Sequence, residues 1–359
     1  MQPRAFRYGD YHPNDLRVRW VLLWLLCVLL AGCAIAPLPQ PDIAAEIRSR
    51  YDAALETLPQ AQQRHYAQRL YRLTGDERYR QALEAYAARL VASLQQDIAG
   101  LARPGYASRR AAVLLERYPQ RTAKQRRRRQ MLGEWGEVIF AKRLAFRLNQ
   151  ARFHGLLNEA QLPDYRRALD YLATQDYKAF LTSPAVIEVY AAQVANLTHD
   201  LYGLGVVDYR DEAIAAFRAH YPEERDAALS RVSFRNKIYG LTHFVIAASD
   251  YYQHPVSAEA HGWILEYFET HLARILAETK EDIYTEVGIG FLLAEQEAHP
   301  AVERIKQALR HAYDPMARMI PGEYGSIDLA RGEHRNVLAI MLLEWPERLY
   351  QGPLLSSGP

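Results

Sequence analysis

From Pro41 onward apolar residues recur every three or four positions, while the period-two alternation of a half-buried strand is nearly absent. Ala, Leu, Glu, Gln and Arg dominate this stretch, residues that give up little side-chain freedom in a helix. The pattern predicts helices at about 42–57, 60–73, 76–99, 106–117, 122–149, 162–175, 185–201, 210–220, 224–250, 257–279, 282–297, 300–312 and 333–345. Prolines at 59, 104, 119, 163, 184, 222, 255, 300, 321 and 346 fall at or near their boundaries, where a missing N–H does least harm.

Two kinds of helix alternate in the second half. Ile283–Leu293 and Val337–Leu343 are apolar nearly all round and Ile238–Ala248 is close to it, as for helices surrounded by protein. Between them, Glu259–Lys280 and Ala301–His311 carry one apolar stripe and a charged face, the pattern of an outer layer. The expected fold is therefore all-α, built of repeated helical hairpins in inner and outer layers. Closure into an α/α toroid is the preferred arrangement over an open solenoid, because apolar inner helices need cover on every side.

Polar residues punctuate the inner helices at similar intervals. NLTHDLYGL at 196–204 is echoed by YGLTHFVIA at 239–247, and His199, His243, Glu286 and His334 follow one another at spacings of 44, 43 and 48 residues. His154 precedes His199 by 45. Such a period suits a hairpin plus its loops. If the inner helices surround one cavity, Thr198, His199, Asp200, Thr242, His243, Glu286, His334 and Asn336 are candidates for its wall. Histidine moves protons near neutral pH and a carboxylate orients it or acts as acid or base, so His199, Asp200, His243, Glu286 and His334 form the expected catalytic set. Each also has a structural reading as a hydrogen-bonded packing residue or helix cap. The same donors suit zinc, but no cofactor is required by the sequence: HExxH, paired CxxC and GxSxG are all missing. Gly288 and Gly290 read as close helix packing. The segment Tyr313–Gly332, with Arg318, Glu323, Tyr324 and Asp328, is either a loop over the cavity mouth or a plain link. Lys124 and Arg126–Arg129 form the one strong basic run, read as a solvated face or a contact for anionic lipid headgroups.

The first residues change the picture of where this helical domain works. Trp20–Ala31 is a run of twelve uncharged, mostly apolar residues directly after Arg17 and Arg19, the arrangement of a signal peptide. Leu30, Ala31, Gly32 and Cys33 spell LAGC, which resembles the lipobox of bacterial lipoproteins. That resemblance implies a lipoprotein signal peptide over 1–32, cleavage before Cys33 and lipidation of its thiol, against the alternatives of a plain anchor helix or ordinary cleavage. Ala34 after the cysteine resembles the outer-membrane sorting pattern, so the expected location is the periplasmic face of the outer membrane. Residues 33–41 read as lipidated cysteine and Pro-rich tether, 42–350 as a single helical domain and 351–359 as a flexible C-terminal tail. Residues 1–32 hold four Arg and two Asp, so the formal charge of +2 belongs to them and the remainder is balanced at 40 basic and 40 acidic residues. That balance, outside the cytoplasm, gives no reason to expect nucleic acid. With Cys27 in the leader and Cys33 lipidated, the domain has no cysteine left for a disulfide, nucleophile or metal.

NKIYGLTHFVIAASDYY at 236–252, DIYTEVGIGFLLAE at 282–295 and HRNVLAIMLLEW at 334–345 resemble a family of proteobacterial lipoproteins or exported proteins that carry domain of unknown function 3541. The likeness implies a location and no activity. More distantly, the layered helices look like the α/α toroid glycoside hydrolases and lyases, at the level of fold alone. Two functions follow as expectations: an envelope enzyme acting on a glycan or peptidoglycan-derived substrate by acid/base chemistry, or a noncatalytic lipoprotein that binds a ligand or an envelope protein.

Overall fold

A computed structural model describes residues 42–355. The signal peptide expected at 1–32, Cys33 with its lipid, the tether up to 41 and the last four residues lie outside the described residues. Among those described, no helix is long and apolar enough to cross a membrane.

The fold is all-α, with a single isolated bridge between Asp314 and Met319 in place of any sheet among the described residues. In chain order the helices are α1 (Ile43–Ala54), α2 (Gln60–Thr74), α3 (Glu77–Gly100), α4 (Tyr106–Glu116), α5 (Ala123–Gly133), α6 (Val138–Phe153), α7 (Tyr165–Ala173), α8 (Tyr177–Thr182), α9 (Pro184–Gly203), α10 (Arg210–His220), α11 (Arg231–Ala248), α12 (Ala258–Thr270), α13 (Leu272–Glu278), α14 (Glu281–Leu293), α15 (Pro300–Ala312) and α16 (Leu329–Leu343). Local chemistry sets many of these ends. Asp76, Asp176, Ser230, Ser257 and Asp328 each accept a backbone N–H of the first turn, and Thr122 with Gln125 forms a capping box.

Three predicted helices are broken. The 122–149 helix divides into α5 and α6 at a turn where Gly136 takes φ +52°, and 257–279 divides into α12 and α13 at His271. The start of 224–250 is instead a 3₁₀ turn over Glu223–Ala228. The predicted difference between helices is present. Every residue of α14 from Ile283 to Leu293 is buried, as is α16 from Asn336 to Leu342, whereas α15 buries only Ala301, Val302, Ile305 and Leu309. Through their contacts α2, α16, α14, α11, α9 and α6 succeed one another, and α3 touches both α6 and α2. On this series α10 packs against α9, α15 against α14 and α1 against α16.

Close approach needs glycine at two of these crossings. A Cβ on Gly240 would lie 2.5 Å from the Phe217 ring, and one on Gly288 2.9 Å from Leu342, so α11 and α14 sit tighter on their neighbours than alanine allows. Gly290 meets only ordinary contacts. At the C-terminal end Gly352 and Pro353 are buried, with the Leu355 N–H donating to the His154 carbonyl, so the expected tail is docked through its first residues.

Candidate functional site

A cavity of ≈ 200 Å³ lies among α2, α6, α9, α11 and α16. Its walls combine Arg64, His65, Arg69 and Arg72 of α2 with Asn196 of α9, Tyr239 and His243 of α11, and His334 of α16. Tyr251 and Tyr252 enter from the turn after α11. There Asp250, Tyr251 and Tyr252 take φ of 53°, 55° and 69°, three successive non-glycine residues in the left-handed region. Each such residue costs about 1–2 kcal/mol. The buried Ser249 hydroxyl holds the turn by accepting from the Tyr252 N–H at 2.9 Å. Strain of this kind needs surrounding structure that over-determines it.

Glu286 stands behind the His243 and His334 side chains. It is 1 % exposed and lies in the apolar helix α14. Thr242, one residue before His243, donates its hydroxyl to Oε2 at 2.7 Å. Oε1 faces His243 Nε2 at 3.8 Å and His334 Nε2 at 3.7 Å, just outside hydrogen-bond range. Burial pushes the Glu286 carboxyl up to about 8, against the Thr242 hydrogen bond, and the Asp282 charge adds to the rise. At neutral pH it is therefore an uncharged acid. His243 is driven down to about 3, first by burial and then by its neighbours His334 and Arg69. Its Nδ1 faces Asn196 Oδ1 at 2.8 Å, which places the ring proton on Nδ1 and leaves Nε2 a bare acceptor without a partner. His334, 32 % exposed along its side chain, is oriented from the other side by Asp282 Oδ2 at 3.5 Å. Burial raises the Asp282 carboxyl, but the hydrogen bond and charge of His334 outweigh it and pull it below its ordinary value.

A second acid–imidazole pair completes the wall. His65 Nδ1 meets Glu333 Oε1 at 2.7 Å, and the His65 ring stacks on His334 with centroids 5.0 Å apart. Burial raises Glu333 to about 8, with Arg69 and Arg64 opposing. Neither His65 nor Glu333 stood out in the sequence, where they read as polar positions of ordinary amphipathic helices.

The expected set is thus divided. His243, Glu286 and His334 come together. Asp200 lines a neighbouring hollow of ≈ 580 Å³, where Asn149 donates to it at 2.6 Å and burial raises it to about 7. His199 faces Arg210, His261, Asp250 and Asp208 instead, and burial first, then Arg210 and His261, lower it to about 4. His199 and Asp200, adjacent on α9, thus open onto different surroundings. Asn336 serves the backbone, joining Ile320 N–H and carbonyl to α16, and His154 binds the Pro353 carbonyl through Nδ1. In the 313–332 segment Asp328 caps α16, Glu323 pairs with Lys280 at 3.0 Å, and the exposed Tyr324 lies on the surface. Part of the basic run turns inward: Arg128 donates to Gln193, a residue of the cavity wall, at 3.2 Å.

His243, His334 and Glu286 are donors of the kind zinc takes, yet no group of three or more His, Cys, Asp or Glu placed to hold a metal ion occurs among the described residues. What the arrangement offers chemically is a neutral carboxylic acid set behind two cavity-wall imidazoles, of which His334 is the more exposed.

No curated protein matches this chain. No solved structure matches it either. A family model described as "Domain of unknown function (DUF3541)" matches residues 41–359, and the chain belongs to that family.

Proposed function

We propose that this chain is a lipid-anchored enzyme of the bacterial cell envelope that acts on a glycan or peptidoglycan-derived substrate by general acid/base chemistry. The observation that carries the reading is Glu286, a buried carboxyl kept protonated at neutral pH, with Oε1 turned toward two imidazoles at a cavity wall. In this reading Glu286, behind the cavity wall, delivers its proton to the leaving oxygen through His334, which lines the cavity. His243 orients the acid through its bare Nε2. Asp200, in the adjoining hollow, belongs to substrate binding, and His199 has no part. The order of helix contacts, running from α2 through α16, α14, α11, α9, α6 and α3 back to α2, supports an α/α toroid around the cavity. The LAGC sequence at Leu30–Cys33 supports the anchor, and Ala34 after it the outer-membrane address.

The test is product release. The purified full-length lipoprotein in detergent is incubated with peptidoglycan fragments and acidic and neutral bacterial glycans, and products are read by mass spectrometry. Wild-type protein should release product, at a rate falling as pH rises through about 8 and Glu286 ionises. Glu286→Gln should lower that rate by about 10²- to 10⁴-fold with the fold intact. Release that survives in Glu286→Gln, or no release from any substrate, overturns the enzymatic reading.

A second reading, a noncatalytic binding lipoprotein, is favoured by one feature. His243, lowered to about 3, is a weak base, and the wall around it is rich in hydrogen-bond donors. Saturable binding without turnover would select it.

A further inference from the structure

Arg72 is 0 % exposed, and none of its three guanidinium nitrogens has a hydrogen-bond partner among the described residues. It lines the same cavity as Arg69, whose Nε is likewise buried without a partner, and Arg64. Buried charge is ordinarily paired, because the penalty for removing an ion from water is several kcal/mol. These three arginines have no carboxylate within ion-pair distance among the described residues; Arg64 reaches only the amide oxygens of Gln68 and Gln150, and Arg69 a backbone carbonyl. Of the acids around the cavity, Glu286 and Glu333 are kept protonated at neutral pH by burial, and Asp250, whose charge reaches Arg72, is already paired with Arg152 at 2.8 Å. Gln68 Nε2, another donor of the cavity lining, is likewise buried without a partner among the described residues, while Arg69 lies over the Tyr252 ring.

The positive lining extends beyond the cavity. Phe146 borders it and also borders the ≈ 580 Å³ hollow and a third of ≈ 480 Å³, so the three adjoin. Arg117, Lys142 and Arg143 line the first of these neighbours and Arg89 the second, with no carboxylate partner among the described residues. Arg110 and Arg147 are matched by Asp97, and Asp200 is the lone acid of these linings.

We infer that the three hollows form one recognition site for an acidic glycan chain, with Arg64, Arg69 and Arg72 binding the oxyanion groups, carboxylate, sulfate or phosphate, of successive sugars, one of them held against His243 and His334. Guanidinium presents a planar fork of donors that matches such groups. Their spacing on one helix, eight residues from Arg64 to Arg72, spans about 12 Å, enough for more than one sugar. The Tyr239, Tyr251 and Tyr252 rings offer apolar faces and polar tips to sugars. Arg72 is too deep for a membrane surface or a duplex to reach, so the partner must enter as a slender chain. The inference names the substrate class for the function proposed above, and stands on binding alone.

The experiment is isothermal titration of the full-length lipoprotein at pH 7. The probes are tetragalacturonate, its neutral methyl ester, a sulfated tetrasaccharide, and inorganic phosphate and sulfate. An acidic tetrasaccharide should bind at least tenfold more tightly than the ester, and more weakly as salt is raised. Which of the two acidic tetrasaccharides binds better separates carboxylate from sulfate. Arg72→Met should lose at least tenfold in that affinity while its melting temperature stays level or rises, because an apolar side chain of similar reach replaces a buried unpaired charge. Arg69→Gln, a polar change, should lose affinity in the same direction. Equal binding of acid and ester, undiminished binding in both variants, binding of inorganic anions alone, or binding of none of the probes overturns the inference. Acid-selective binding that persists in an inactive protein leaves the site standing and removes only the chemistry.

Discussion

Two regions of this molecule bury charge, and they do so in opposite ways. Around Asp226, in the turn before α11, every strong group is answered: Lys237 Nζ reaches Oδ1 at 2.7 Å, the Tyr267 hydroxyl donates to Oδ2 at 2.6 Å, and Arg274 donates to the Asp226 carbonyl at 2.7 Å. The cluster ties the turn to α11, α12 and α13 and asks for nothing from outside. Along α2 the guanidinium of Arg72 is as deeply buried and has no hydrogen-bond partner among the described residues. A closed network stabilises a fold, whereas an open one costs stability that only a ligand can return. Burial of charge by itself therefore does not mark a functional site; burial without a partner does.

The largest effect expected from this contrast is on stability. Asp226→Ala strands Lys237 in the interior and should cost about 3–5 kcal/mol of unfolding free energy, read by urea denaturation. Arg72→Met should cost nothing in the same measurement. Similar losses in the two variants would break the comparison, since Arg72 would then be held by contacts as strong as those of Asp226.

The next effect is a pH slope. Burial holds the folded-state pKa of Glu286 near 8, above its ordinary value of 4.5, so between those limits the folded state binds the proton that the unfolded state releases. Stability contributed by this group is therefore present below about 4.5 and lost as pH rises to about 8. Glu286→Gln should remove up to one proton of linkage, about 1.4 kcal/mol per pH unit, across that window. Thermal melts of the two proteins at pH 5, 6, 7 and 8 should diverge, with the variant gaining as pH rises. Parallel curves would mean that Glu286 is ionised when folded, and the acid role would fail with it.

The open network was the harder half to see in the sequence. The inner helices announce themselves, because α14 and α16 are apolar on every face, and the regular spacing of His243, Glu286 and His334 reflects helices that present successive residues to one space. His199 keeps the same interval but is surrounded by Arg210, His261, Asp250 and Asp208 instead. Arg64, Arg69 and Arg72 are scattered around α2 and read as solvated until the partners across the helix are known. Long-range proximity, such as Glu333 beside His65, has no local signature at all. The break between α5 and α6 was more accessible, since Gly133 and Gly136 frame it.

The smallest expected effect separates geometry from burial. Arg210 grips Asp208 through both Nε and Nη2, at 2.9 and 2.8 Å, a bidentate arrangement with better geometry than the single Lys237 contact. Its side chains are 37 % and 49 % exposed, so water screens the pair and solvates either member left alone. Asp208→Asn should therefore change the unfolding free energy by less than about 1 kcal/mol, and 0.5 M salt should erase even that. A loss comparable to that of Asp226→Ala would show that hydrogen-bond geometry, and not removal from water, sets the value of an ion pair here. The unpaired state of Arg72 would then carry a smaller penalty than its depth suggests, and the need for an anion beside it would weaken in proportion.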